Sequence, residues 1–424
     1  MFGIVRGSCP ILRPTMAVLT LLFIAIIALL QPTQAQTYKI IHDFAGTASD
    51  GAGPQAGVTI DAGGNFYGTA GVIYKLTNKN GNWIFSPLYE FKGGVDGSYP
   101  FAKLVIGPDG TFYGTTNDNY GQDCQTLNCF GTVFNLSPPP TVPKTALTPW
   151  EETSLYHFHW FPDGAWPEVG PLVFDASGAI YGTTGSGGSH NCIYGCGTVY
   201  KLAPSGQGYT ESVIYTFTGQ ADGAFPYGSV AFDQAGNLYT TASSRGTNDG
   251  GAIIELTPST GGWTETTIHE FAPHTDGGAP IGGLILDKSG NLYGTTSAIG
   301  PYGGGTVFKL TPSGGSWDFK VLWAFGGGPG NSGPWGNLLL DAAGNLYGTT
   351  NNDGFYGVGS AFKLTPSGNR WTYTTLHDFC KDFPTCSDGA QPFSDLVMDA
   401  DGNLYGTASI GGEYGYGVVF EITP

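Results

Sequence analysis

Residues 284–312, LILDKSGNLYGTTSAIGPYGGGTVFKLTP, decide the fold. Residues 284–286 and 291–295 have the short apolar pattern of two strands joined by a tight turn, and residues 306–311 supply a third strand. Gly290 stands where a short hairpin needs a positive φ, and Asp287 is placed to accept turn amides, so turn chemistry accounts for both.

The unit recurs along the chain. Its GNLYGT tyrosine returns as Tyr67, Tyr113, Tyr181, Tyr239, Tyr293, Tyr347 and Tyr405. A second anchor, a polar or aromatic ring two residues before a phenylalanine, ends each unit: His42 with Phe44, Tyr89 with Phe91, Tyr156 with Phe158, Tyr215 with Phe217, His269 with Phe271, Trp323 with Phe325 and His377 with Phe379. That anchor marks a fourth strand. Four antiparallel strands in each of seven units predict an all-β fold, a seven-bladed β-propeller with strands A to D running from the centre outward. The order of strands at the ends predicts closure. Residues 38–44 form a lone fourth strand and residues 396–423 form three strands that lack one, so pairing them completes the seventh blade and leaves no unpaired sheet at the seam.

Composition agrees with one large β domain over residues 36–424. There are 70 glycines in 424 residues, and no long stretch has helical periodicity. Apolar runs at the A strands, such as LIL and LLL, fit strands covered on both faces. The net charge is -17 with 16 Lys and Arg and no basic cluster, which excludes nucleic acid as a partner. Residues 1–35 have the form of a signal peptide: Arg6 and Arg13, an apolar run over 17–30, then small residues before Gln36. The apolar run is short for a membrane span, and an uncleaved anchor is the alternative. With Cys9 removed, six cysteines remain in three close pairs, Cys124 with Cys129, Cys192 with Cys196, and Cys380 with Cys386. An even count in an exported chain predicts disulfides, and pairing by proximity is the simplest connectivity. A zinc site is the competing reading, but no pair has a matching partner at ribbon spacing.

Asp50, Asp96, Asp163, Asp222, Asp276 and Asp388 each open an Asp-Gly-x-x-Pro segment between strands D and A, degenerate in blade six as residues 330–334. A residue repeated in nearly every blade is a turn device before it is a catalyst. Calcium at acidic turns such as residues 399–403 is a further option, although the ligand series of an EF-hand is incomplete there. His42, His269 and His377 replace the tyrosines of strand D, which predicts flat packing rings with one satisfied nitrogen. No GxSxG or HExxH is present, and no nucleophile-base set can be assembled from spacing.

Connectivity places the D to A and B to C loops on one face, which also holds the long variable loops and all three cysteine pairs. The starts of the A strands rim the central channel on that face. Residues that break the repeat there, Phe101, Lys103, Glu168, Tyr227, Trp335, Asn337 and Asp395, are candidates for a ligand-binding mouth. The alternative is that they fill and rim the channel in the ordinary way.

Written as Leu-x-x-Asp-x-x-Gly-Asn-Leu-Tyr-Gly-Thr-Thr followed by Gly-Thr-Val-Phe-Lys-Leu-Thr-Pro-Ser-Gly, the repeat closely resembles the GloVer tandem-repeat family of secreted bacterial proteins, over the whole mature chain. The resemblance implies a propeller and supplies no catalytic residues. Members look like propellers with C-terminal surface anchors, whereas this sequence stops at Pro424 without a sorting tail, so secretion or a periplasmic location is expected. The leading expectation is a monomeric, non-enzymatic binding module for glycan or extracellular protein, with no cofactor and no membrane contact after signal cleavage. A second expectation is a metal-dependent enzyme similar to streptogramin-lyase or lactonase propellers, for which Glu168, Asn337 and Asp395 are the available ligands. A third is a structural envelope or matrix protein.

Overall fold

The computed structural model describes residues 36–117, 130–139, 150–167, 170–206, 208–326 and 333–423. The strands form seven four-stranded antiparallel sheets, six of them running outward in chain order. Blade five is typical, with strands Ile285–Leu286, Leu292–Thr296, Gly303–Ser313 and Ser316–Gly326. The seventh sheet joins Thr37–Asp43 to Val418–Thr423, with Leu404–Ala408 and Val397–Met398 inside it. Thr37 pairs with Thr423 and Asp43 with Val418, across a bulge between Ile40 and His42. The expected closure is therefore present, and the helical content among the described residues is one 3-10 turn, Gly94–Asp96.

Strand lengths differ from the sequence expectation in an instructive way. The innermost strand is only two residues in every blade, and those residues are half-buried except for the exposed Ile106. The apolar runs of the A segments begin one residue earlier, where Leu284, Leu338 and Leu396 are buried against neighbouring blades before ladder pairing starts. Full burial belongs to the second strand, all five residues of Leu292–Thr296 being buried. The third strand of blade five runs past Pro312, because the hairpin from Ser313 to Ser316 keeps the outer pair in register.

Sheets twist, so adjacent blades meet face to face and bury apolar side chains between them. Each of the seven junctions has its own cluster. At the seam, Phe44, Tyr405 and Val419 of blade seven pack on Val58, Phe66 and Tyr74 of blade one, which closes the ring. Burial of side chains of this size stabilises by roughly 1.5–3 kcal/mol each.

Two polar devices recur with the apolar ones. In every blade the motif tyrosine donates its hydroxyl to the aspartate of the A to B turn, as in Tyr293 to Asp287 at 3.1 Å and Tyr405 to Asp399 at 3.0 Å. Those aspartates also accept turn amides. Asp399 takes Asp401 N at 2.9 Å, Asn403 N at 2.8 Å and Asn403 Nδ2 at 2.9 Å. Burial works against ionisation there, yet the donors hold its carboxyl below the ordinary carboxylate value. The carboxylate offered as a calcium ligand is thus filled by turn hydrogen bonds.

The second device joins strand D to the Asp-Gly segment. Tyr89, Tyr156 and Tyr215 donate to Asp96, Asp163 and Asp222, while His42, His269 and His377 donate through Nε2 to Asp50, Asp276 and Asp388 at 2.9–3.0 Å. The next blade completes the arrangement. Each tyrosine faces a glutamate, Glu152, Glu211 or Glu265. Each histidine instead stacks on an aromatic ring: His42 on Phe85, His269 on Phe319 and His377 on Tyr38. Trp323 stacks on Tyr373 in blade six, whose segment has no aspartate to bond.

Candidate functional site

The loop-rich face is stitched together by the residue before each proline of the Asp-Gly-x-x-Pro segments. Tyr99, Trp166, Phe225, Ala279 and Gln391 all adopt φ between 53° and 60°, a left-handed conformation that costs a non-glycine residue about 1–3 kcal/mol. The strain is offset by hydrogen bonds on both sides. Trp166 N donates to Phe130 O of the preceding blade at 2.8 Å, and Gly185 N of the same blade donates to Trp166 O at 2.9 Å. Phe225, Ala279 and Gln391 repeat the pattern, so neighbouring B to C loops share one rigid frame. The disulfides Cys192–Cys196 and Cys380–Cys386 sit on this face as expected, whereas Cys124 and Cys129 lie outside the described residues.

At the channel mouth the blades approach closely. A Cβ on Gly228 would lie 2.8 Å from the Gly282 carbonyl, one on Gly282 would lie 2.8 Å from Gly336 O, and one on Gly336 would lie 2.8 Å from the Ser394 carbonyl carbon. Threonines of the second strands lock the approach. Thr183 donates to Gly228 O at 3.0 Å, Thr241 to Gly282 O at 3.0 Å, Thr349 to Ser394 O at 2.8 Å and Thr407 to Ala56 O at 2.9 Å.

Of the seven predicted mouth residues, the structure brings Lys103, Asn337 and Asp395 into one electrostatic group. Asp395 accepts Asn337 N at 2.5 Å and Asn337 Nδ2 at 3.1 Å, while Asn337 Oδ1 accepts Gly283 N. Asn337 therefore clasps blades five, six and seven, and its single side-chain oxygen is committed to a backbone amide. Lys103 retains some solvent contact but is packed round by protein; burial lowers its pKa, with the Asp395 charge opposing that shift. Trp335 packs edge-on against Phe393 at 5.2 Å. Tyr227 covers Gly185, where a Cβ would lie 2.5 Å from its ring. Phe101 stacks with Tyr99 at 5.8 Å, away from the polar group. Glu168 lies outside the described residues. Among the described residues no cluster of three or more His, Cys, Asp or Glu is placed to hold a metal ion.

Large apolar side chains exposed to solvent are concentrated on the loop-rich face. Apart from Ile84 and Ile106, all those among the described residues belong to D to A or B to C loops, with Ile193 87%, Phe355 83%, Phe383 73% and Tyr302 72% exposed. Sequence reasoning placed the long variable loops and the Asp-Gly-x-x-Pro segments on this face, without singling out Tyr99 or Ile410 as exposed side chains. Their signal was the position in the repeat rather than the residue type.

A family model for the Gloeobacter/Verrucomicrobia repeat matches residues 141–286 and 233–424. The chain belongs to this repeat family. No curated protein sequence matches it. Among solved structures, it is similar to an oxidoreductase described as a glucose dehydrogenase from Thermus thermophilus, at 15% identity and TM-score 0.40 over 92% of this chain and 100% of that one. It is also similar to a protein described as a 6-phosphogluconolactonase from Bacteroides uniformis, at 14% identity and TM-score 0.49 over 80% and 86% of the two chains. A glucose dehydrogenase matches at 14% identity and TM-score 0.45, over 92% and 99%. None reaches a TM-score of 0.5, and the activities of those proteins are not carried to this member of the repeat family.

Proposed function

We propose that this propeller is an exported, non-catalytic binding module that engages extracellular glycan or protein through its loop-rich face. The observation that carries the reading is the concentration of exposed aromatic and branched side chains on that face, held by a hydrogen-bonded frame. Disulfides on the same face fit an oxidising compartment, and the apolar segment before Gln36 fits export. Among the described residues no helix is long and apolar enough to cross a membrane. The Asn337–Asp395 clasp commits the Asn337 side-chain oxygen to Gly283 N and has each Asp395 oxygen accept one bond from Asn337, which favours a structural role for Asn337 between the blades. In this reading the module acts as a monomer without a cofactor.

The test uses disulfide-intact protein comprising residues 36–424 on a glycan array and against extracellular protein ligands. Saturable binding that is lost in a combined Tyr302→Ser, Phe355→Ser, Tyr414→Ser variant or in a Tyr99→Gly, Tyr416→Ala variant, each of unchanged melting temperature, is the expected result. Absence of binding, together with metal-dependent turnover of a lactone, would overturn it.

A further inference from the structure

Blade one departs from its siblings by what it lacks. Only Ala70 and Gly71 separate its second strand, Phe66–Thr69, from its third, Val72–Lys79. In blade six the same link runs from Asn351 to Gly359 and in blade seven from Ser409 to Gly417. The missing loop leaves a cleft of about 420 Å³ on the loop-rich face, between blade seven, blade one and the entry to blade two. That volume falls within the range of roughly 300–1,000 Å³ usual for small-ligand sites. Other clefts, of about 530 and 540 Å³, lie on the opposite face between adjacent A to B turns and are lined by residues that obey the repeat.

The walls of the blade-one cleft are aromatic and fixed. On one side Tyr99, 53% exposed, is set by its left-handed backbone and stacks with Phe101. On the other, Tyr416 is 48% exposed, and its ring lies over Gly46, where a Cβ would be 2.6 Å from Cδ2. Gln55 and Thr69 supply neutral polar groups, and no charged residue lines the cleft. Thr69 Oγ1 is buried and has no hydrogen-bond partner among the described residues, a state it shares with Thr115 and Thr295 at the same repeat position, whereas Thr183, Thr241, Thr349 and Thr407 bond to the next blade.

We infer that the cleft above blade one is a binding subsite for a neutral saccharide, held between the Tyr99 and Tyr416 walls. A pyranose has an apolar C–H face that is attracted to the negative face of an aromatic ring, and hydroxyls at its edge that suit amide and hydroxyl groups. An uncharged lining favours a neutral ligand, because a charged one entering it loses hydration without gaining a partner. Tyrosines already held in place lose little conformational freedom on binding. The inference rests on the proposed binding function and assigns its ligand class and its place on the face.

Titration calorimetry with neutral β-1,4-gluco-, xylo- and manno-oligosaccharides, and with oligogalacturonate as the charged counterpart, tests it. The expected result is binding of at least one neutral oligosaccharide, weakened about tenfold or more by Tyr416→Ala and by Tyr99→Gly, and unchanged by Phe355→Ala. Tyr99→Gly relieves the left-handed backbone strain, and an unchanged melting temperature separates its loss of affinity from unfolding. Replacing Ala70 and Gly71 by the blade-six link should abolish binding by filling the cleft. Neutral-oligosaccharide affinity insensitive to the cleft variants but lost with Phe355→Ala would overturn the cleft while leaving a glycan-binding face in place. Binding of oligogalacturonate or protein alone would overturn the saccharide assignment, and binding of nothing would overturn both readings.

Discussion

Replacing Glu152 and Glu211 by glutamine should stabilise the propeller above neutral pH and leave it unchanged in mild acid. Each glutamate faces the tyrosine-aspartate pair of the preceding blade. Burial first, and then the nearby charge of Asp96 or Asp163, pushes its carboxyl from an ordinary 4.5 up to about 7. A folded-state value above the unfolded one means that the folded chain holds extra protons between those limits, so this contribution to stability is full below 4.5 and is lost as pH rises towards 7. Without screening, the loss would be roughly 3 kcal/mol per group. Both side chains are only half-buried, so solvent screening reduces it to about 1 kcal/mol each. Glutamine keeps the acceptor for Ser154, which donates to Glu152 at 2.9 Å. In a domain of this length 1 kcal/mol moves the melting temperature by about 1–2 °C. Calorimetry of the double variant should therefore show a rise of about 2–4 °C near pH 8, falling to nothing near pH 5. His42, whose pKa burial lowers despite Asp50, contributes with the opposite sign, its share of stability being lost as pH falls, but it is common to both proteins and cancels in the difference. A melting difference that is flat from pH 5 to 8, or a loss of stability at pH 8, would refute the reasoning.

Further expectations follow from other contacts. Gly282→Ala puts a methyl 2.8 Å from the Gly336 carbonyl oxygen, and should cost about 1–3 kcal/mol in denaturant melts, since the backbone of the next blade has nowhere to move. Asp276→Ala strands Ala272 N, bonded at 2.7 Å, and His269 Nε2, bonded at 3.0 Å, and should cost about 2–3 kcal/mol by the same measurement. Removing residues 36–43 unpairs Val418–Thr423 and exposes the seam cluster, so calorimetry should show the cooperative transition broadened or lost and proteolysis should start in blade seven.

The blade count, the closure and the turn role of Asp287 and its six counterparts were legible because each is repeated, and repetition isolates the residues that a local geometry demands. The same logic correctly placed the strand D histidines as packing rings. It failed wherever the relevant partner lies in another blade. Nothing local marks Tyr99, Trp166 and Phe225 for a positive φ, because the hydrogen bonds that offset it come from neighbouring loops. The shortness of the blade-one link was visible, but the cleft above it depends on Tyr416 arriving from the far end of the chain. Asn337 and Asp395 stood out by breaking the repeat, but that they bond to each other and to Gly283 across three blades was not visible in the sequence.

The seam also sets a timetable. Thr37–Asp43 is made before every other strand of the ring, yet its hydrogen-bonding partner, Val418–Thr423, is the last of the propeller's strands to be made. Six sheets can assemble from neighbours in the chain, but the seventh must wait until its last strand is made and the two partners meet, a distant pairing that is slow to form. Until then the nascent polypeptide has an open sheet edge that can pair with another chain.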